Sequence, residues 1–138
     1  MSMYHECQTD LKDGKHLLAA LTEMGFKCES HEQPQTLYDY QGHARPQKAN
    51  IIIRRQNTGC GASNDVGFLK TEDGTYQAVI SEYDQSVKFN QTWLVALRTG
   101  YTEQWQIATQ RARGRVFKGR EIVQTPQGER IRLDFAAR

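Results

Sequence analysis

The sequence predicts an α+β domain in which two helices pack on one face of a mainly antiparallel sheet, a layer sandwich of ferredoxin-like kind. Three observations lead there. Short alternating or β-branched segments, separated by turn signals, fill most of the chain. Only two stretches carry apolar residues at helical spacing, and the order runs strand, helix, several strands, helix, two strands. At 138 residues the chain suits one domain, expected to span residues 1–138.

Taken in order, Tyr4 to Thr9 reads as a first strand with weak alternation. Asp10 or Asp13 can cap the helix that follows, because a carboxylate accepts from the otherwise orphaned N–H groups of a first turn. That helix runs from about Gly14 to Met24, with Leu17, Leu18, Leu21 and Met24 as its apolar stripe and Gly25 as its stop. Phe26 to Glu32 reads as a strand ended by Pro34, and Leu37 to Tyr40 as a short aromatic segment before a turn at Gly42. Lys48 to Arg55 contains Ile51-Ile52-Ile53, a β-branched run suited to a central strand. A loop of small residues, Thr58 to Asn64, precedes a strand at Asp65 to Lys70. Asp73-Gly74 is a strong hairpin signal, and Tyr76 to Tyr83 returns as the partner strand. Asn90 caps the longest helix, about Gln91 to Arg113, striped by Trp93, Leu97, Tyr101, Trp105 and Ala108. Gly100 interrupts it, which points to a kink or to close packing. After Gly114, Val116 to Gln124 and Glu129 to Phe135 read as a hairpin with Val116, Ile122, Ile131, Leu133 and Phe135 inward.

Composition removes several function classes. Leu, Ile, Val and Phe make up only 27 of 138 residues, but the net charge is just +2, and disorder requires a large imbalance. No apolar run approaches the ~18 residues of a membrane helix, and no signal-peptide core begins the chain, so a cytoplasmic location away from membranes is expected. Cys7, Cys28 and Cys60 are widely spaced and odd in number, which suits reduced thiols and gives no zinc ribbon or redox dithiol. His5, His16, His31 and His43 never fall at H-x-x-x-H spacing, and no metal site is expected. Gly59-Cys60-Gly61 is the one G-x-G and lacks the third glycine and helix of a nucleotide loop. No cofactor and no small-molecule substrate is indicated. A thiol nucleophile at Cys60 needs an imidazole and an orienting acid, for which His43 and Asp65 are the candidates. Glu82 and Asp84 fall at strand spacing, where they read as a polar strand end or, less simply, a cation site.

Charge is unevenly distributed. Through Leu97 the chain has 9 basic and 12 acidic residues; from Arg98 onward it has 9 basic and 4 acidic. Arg111, Arg113, Arg115, Lys118 and Arg120 fall within ten residues that hold no acid, with Phe117 among them. Cations of this density suit either a solvated helix end or an anionic partner.

The opening Ser2-Met3-Tyr4-His5-Glu6-Cys7-Gln8-Thr9, with Leu17-Leu18-Ala19-Ala20-Leu21-Thr22-Glu23-Met24-Gly25, resembles the start of the hypothetical-chloroplast-reading-frame thirty-five family of cyanobacteria and algal plastids, found also in other bacteria and phages. The resemblance continues through Asp65-Val66-Gly67-Phe68, Tyr76, Tyr101 and Ile131-Arg132-Leu133. Tyr4-His5-Glu6 and the Gly-Cys-Gly loop depart from the family pattern. The resemblance implies a fold and a non-secreted location but no reaction. The expectation is a non-catalytic binding or adaptor module for another protein, through Arg111, Arg113, Arg115, Phe117, Lys118 and Arg120. The alternatives are nucleic-acid binding by the same segment and a small enzyme built on the Cys60 loop.

Overall fold

A computed structural model describes residues 2–137. The elements are β1 (Tyr4–Gln8), α1 (Gly14–Glu23), β2 (Glu29–Tyr38), β3 (Ala44–Ile53), β4 (Val66–Lys70), β5 (Tyr76–Ser81), α2 (Glu82–Val87), α3 (Gln91–Ala112), β6 (Arg115–Thr125) and β7 (Gly128–Ala137). Five strands form one antiparallel sheet in the order β1-β5-β4-β3-β2, and β6 and β7 pair as a separate ribbon. The architecture is α+β and layered, as predicted. The chain divides into two compact units, Met1–Tyr101 and Thr102–Arg138.

In the first unit the helices share one face of the sheet. Leu17, Ala20 and Leu21 of α1 and Trp93 and Leu97 of α3 pack with Ile51, Ile53, Phe68, Ala78 and Ile80. Both helices start as their sequences dictate. The Asp13 carboxylate accepts from the Lys15 and His16 amides, and the Asn90 side chain accepts from Trp93 N. Gly100 lies within the unbroken span of α3 and faces Ala20 of α1; a Cβ there would meet Ala20 Cβ at 3.6 Å, an ordinary van der Waals contact. The α3 stripe fails beyond Tyr101, and Trp105 is 55% exposed. The core that Trp93 and Leu97 enter belongs to the first unit, and Trp105 belongs to the second.

The opposite face carries Tyr4, Leu37, Ala49, Ile52 and Val79. Among the described residues no helix contributes to this cluster; the β2–β3 hairpin curls over it. Leu37 reaches Gly67, Tyr38 O accepts from Asp65 N, and Arg45 lies over the Tyr4 ring. The curl explains why β2 is one strand of ten residues rather than the two short segments expected around Pro34. It is an edge strand, and Pro34 falls in a register shift between Ser30 and Gln35, where the missing N–H leaves no ladder bond unmade.

Asp65-Val66-Gly67-Phe68 is where these layers meet. Val66 and Phe68 enter the helix-covered core, while Gly67 faces the curled hairpin. The buried Asp65 carboxylate accepts from Tyr38 N, Arg55 N and Arg54 Nη1 at 2.7–2.8 Å. Arg54 continues to Glu29, donating from Nε at 2.8 Å and Nη2 at 3.1 Å. This pairing, chiefly the Arg54 hydrogen bonds, lowers the Glu29 pKa from 4.5 to about 2. A carboxylate depressed in the folded state stabilises the fold above its ordinary pKa and loses that contribution as it protonates. Wild type is therefore expected to exceed Glu29→Gln in urea midpoint at neutral pH, and the gap to close as the pH falls from about 4.5 through about 2. A gap that is constant across that window contradicts the assignment.

The strand expected to reach Tyr83 stops at Ser81, and α2 follows at once. Ser81 and Asp84 form the reciprocal cap of that short helix: Asp84 N donates to Ser81 Oγ, and Ser81 Oγ–H to Asp84 Oδ2. Asp84 is thus buried rather than part of a polar strand end beside Glu82. It also accepts from Ser63 Oγ at 2.6 Å, Asn64 N at 3.1 Å and Asn64 Nδ2 at 3.2 Å, which anchors the loop of small residues. Glu82 is exposed and pairs with His5 instead.

Candidate interaction surface

The six candidate residues lie in the second unit but not on one face. Arg111 is in the last turn of α3, where a cation suits the helix dipole, and Arg113 is in the turn leading to β6. Along the ribbon, Arg115 pairs with Ala137, Phe117 with Phe135, Arg120 with Leu133 and Ile122 with Ile131. A bulge at Lys118-Gly119 interrupts this register opposite Asp134.

The extra residue changes which side chains share a face, because strand side chains alternate with a period of two. Val116, expected inward with Ile122, falls on the other face opposite Ala136. Phe117 takes its place beside Ile122, Ile131, Leu133 and Phe135 and meets Phe135 edge-on at 5.7 Å. Arg115, Phe117 and Arg120 therefore share a face, and Lys118 belongs to the opposite one. Phe117 is half-buried by this packing and is not an open platform for a base.

Several cations are already engaged. Arg120 Nε donates to both Glu103 oxygens at 3.0 Å, tying the ribbon to α3, and Arg115 donates to Gln110 at 2.8 Å. Arg132 pairs with Glu121 and Asp134. Arg111, Arg113 and Lys118 make no ion pair among the described residues. The second unit still carries surplus positive charge, with basic residues at 111, 113, 115, 118, 120, 130, 132 and 138 against acids at 103, 121, 129 and 134.

What the sequence did not show is how little this unit buries. None of residues 102–137 is buried, although the ribbon strands are 11 and 10 residues long. Trp105 and Ile122 are more than half exposed, and Val116 is exposed as well.

The cysteine alternative is not assembled. Both Asp65 oxygens are taken by amides and Arg54, which leaves none to orient an imidazole. His43 sits 4.0 Å from Asp39 instead, and Cys60 N donates to Thr58 at the margin of the first unit's core. No cluster of three metal-ligating side chains occurs among the described residues. All three cysteines are free, and burial pushes the Cys28 thiol up to about 11. No helix among the described residues is long and apolar enough to cross a membrane.

Residues 20–130 match the family model described as Protein of unknown function (DUF1257), more than half of the 138-residue chain. The chain belongs to the DUF1257 family. The DUF1257 match takes in most of the five-stranded sheet, all of α3 and the whole of β6. It therefore includes all six candidate residues as well as Asp65 and Asp84. No curated protein and no solved structure matches this DUF1257 chain.

Proposed function

We propose that this DUF1257 protein is a non-catalytic, cytoplasmic binding module that engages another protein through its C-terminal arm. The observation that carries the reading is an arm of helix end and ribbon with no buried residue and with Trp105 and Ile122 open to solvent. A two-stranded ribbon is marginal by itself, and apolar side chains left open in this way suit a surface that is completed by a partner. The surplus cations favour a partner whose rim is acidic, with Arg111, Arg113 and Lys118 as the charges left to meet it and Arg115, Phe117 and Arg120 shaping the shared face. The Asp65-Val66-Gly67-Phe68 motif supports placing the chain with the hypothetical-chloroplast-reading-frame thirty-five proteins inside the family.

Affinity capture from native lysate, with and without nuclease, tests the reading with wild type, Ile122→Asp and the triple variant Arg111→Glu, Arg113→Glu, Lys118→Glu. The expected result is a protein that survives nuclease and is lost from both variants. Capture indifferent to both variants overturns the arm as the surface. Capture that disappears with nuclease, and declines steeply with salt, overturns the protein partner in favour of nucleic acid.

A further inference from the structure

We infer that the cleft at the N-terminal end of α1 binds a small phosphate-bearing anion, at a site in the first unit that is independent of the arm. Lys12 and Lys15 flank the helix start, and Lys70 at the end of β4 lines the same open cleft of about 830 Å³. None of the three ammonium groups has a hydrogen-bond or ion-pair partner among the described residues. Lysine is a strongly hydrated point charge, and three ammonium groups lining one cleft without hydrogen-bonded acids are available to an anion.

The second observation is Tyr76. Opposite Lys70 across the β4–β5 pair, it is only 6% exposed, yet its hydroxyl makes no hydrogen bond among the described residues and lines the cleft. The ring is buried while the hydroxyl is left without a protein acceptor where the cleft opens, which makes it a donor available to an incoming anion. The hydroxyl sits against the helix start: a Cβ at Gly14 would come within 2.6 Å of it. Glycine at that position is what lets the phenol reach the cleft.

The floor is built rather than incidental. Asn50 is 6% exposed, donates to the His31 and Glu32 carbonyls at 3.3 and 3.1 Å and accepts from Lys70 N at 2.9 Å. One side chain thus fixes three strands around the site. Asp13 and Glu32 also line the cleft. Asp13 is committed to the Lys15 and His16 amides, so the anion is held by the lysines and the phenol rather than by those N–H groups. Three cations against two carboxylates leave the lining net positive, which suits a dianionic phosphate more than a monocarboxylate. The cleft has room for an organic body attached to it.

Amide chemical-shift titration of the full chain distinguishes the sources, with inorganic phosphate and glycerol 3-phosphate as probes and sodium chloride at matched ionic strength as control. The expected result is saturable shifts confined to residues 12–15, 30–32, 70 and 76. Tighter binding of glycerol 3-phosphate assigns an organic phosphate, and equal binding assigns the free ion. Tyr76→Phe keeps the ring and is expected to weaken binding about tenfold or more, the loss typical of one hydrogen bond to a charged group. Lys12→Ala with Lys70→Ala is expected to abolish saturation. Shifts scattered equally over Lys27 and Lys48, shifts reproduced by chloride, or unchanged affinity in Tyr76→Phe each overturn the site.

Discussion

Asp84→Ala is expected to destabilise the fold by about 4 kcal/mol, near the upper end for single substitutions. The carboxylate is fully buried and accepts from the Ser63 and Ser81 hydroxyls and from the backbone and side-chain N–H groups of Asn64. Truncation leaves those buried donors without their acceptor and removes the reciprocal cap of α2. Donors stranded in this way cost far more than the bonds contribute in net terms. Asp84→Asn retains one acceptor oxygen, and its loss is expected to be about half as large. Urea unfolding followed by far-ultraviolet circular dichroism measures both. An Asp84→Ala midpoint matching wild type contradicts the anchoring role.

Gly67→Ala is expected to cost about 3 kcal/mol by overpacking. Its new Cβ would lie 2.5 Å from Ala49 Cβ and 3.3–3.4 Å from the Leu37 methyl carbons, where the β2–β3 hairpin crosses the back of the sheet. The neighbours are backbone-anchored and buried, so they relax poorly. Ala49→Gly introduced into Gly67→Ala removes the closer contact, and the pair is expected to couple favourably by about 1 kcal/mol or more. A Gly67→Ala protein as stable as wild type, or a double variant whose losses simply add, contradicts this packing.

The parts of the fold that depend on neighbours in sequence were legible. Asp13 and Asn90 start their helices as expected, and the Asp73-Gly74 turn joins β4 to β5. The two helices cover one sheet face because their stripes at Leu17, Leu21, Trp93 and Leu97 have one place to go. What escaped the sequence depends on partners far along the chain. Pro34 ends a strand only if that strand is internal, and nothing local shows that β2 is an edge. The bulge at Lys118-Gly119 inserts one unpaired residue and reverses the side-chain parity predicted for Val116 and Phe117. Helix α2 had a readable signal in Ser81-x-x-Asp84, hidden by reading the segment as a strand. The basic segment was legible as charge, but its division between two ribbon faces was not. The Lys12, Lys70 and Tyr76 cleft had no signal, since its members come from separate elements that only the sheet register unites.

The kinked passage of β2 through Pro34 has a consequence for crowded conditions. A sheet margin with its amides in a regular row invites strands from other molecules, and stacking of that kind grows into insoluble fibres. Here one margin is interrupted by an imino acid inside an irregular stretch, and the other, β1, is only five residues long. Neither margin of this sheet offers a long continuous template for self-templated polymerisation.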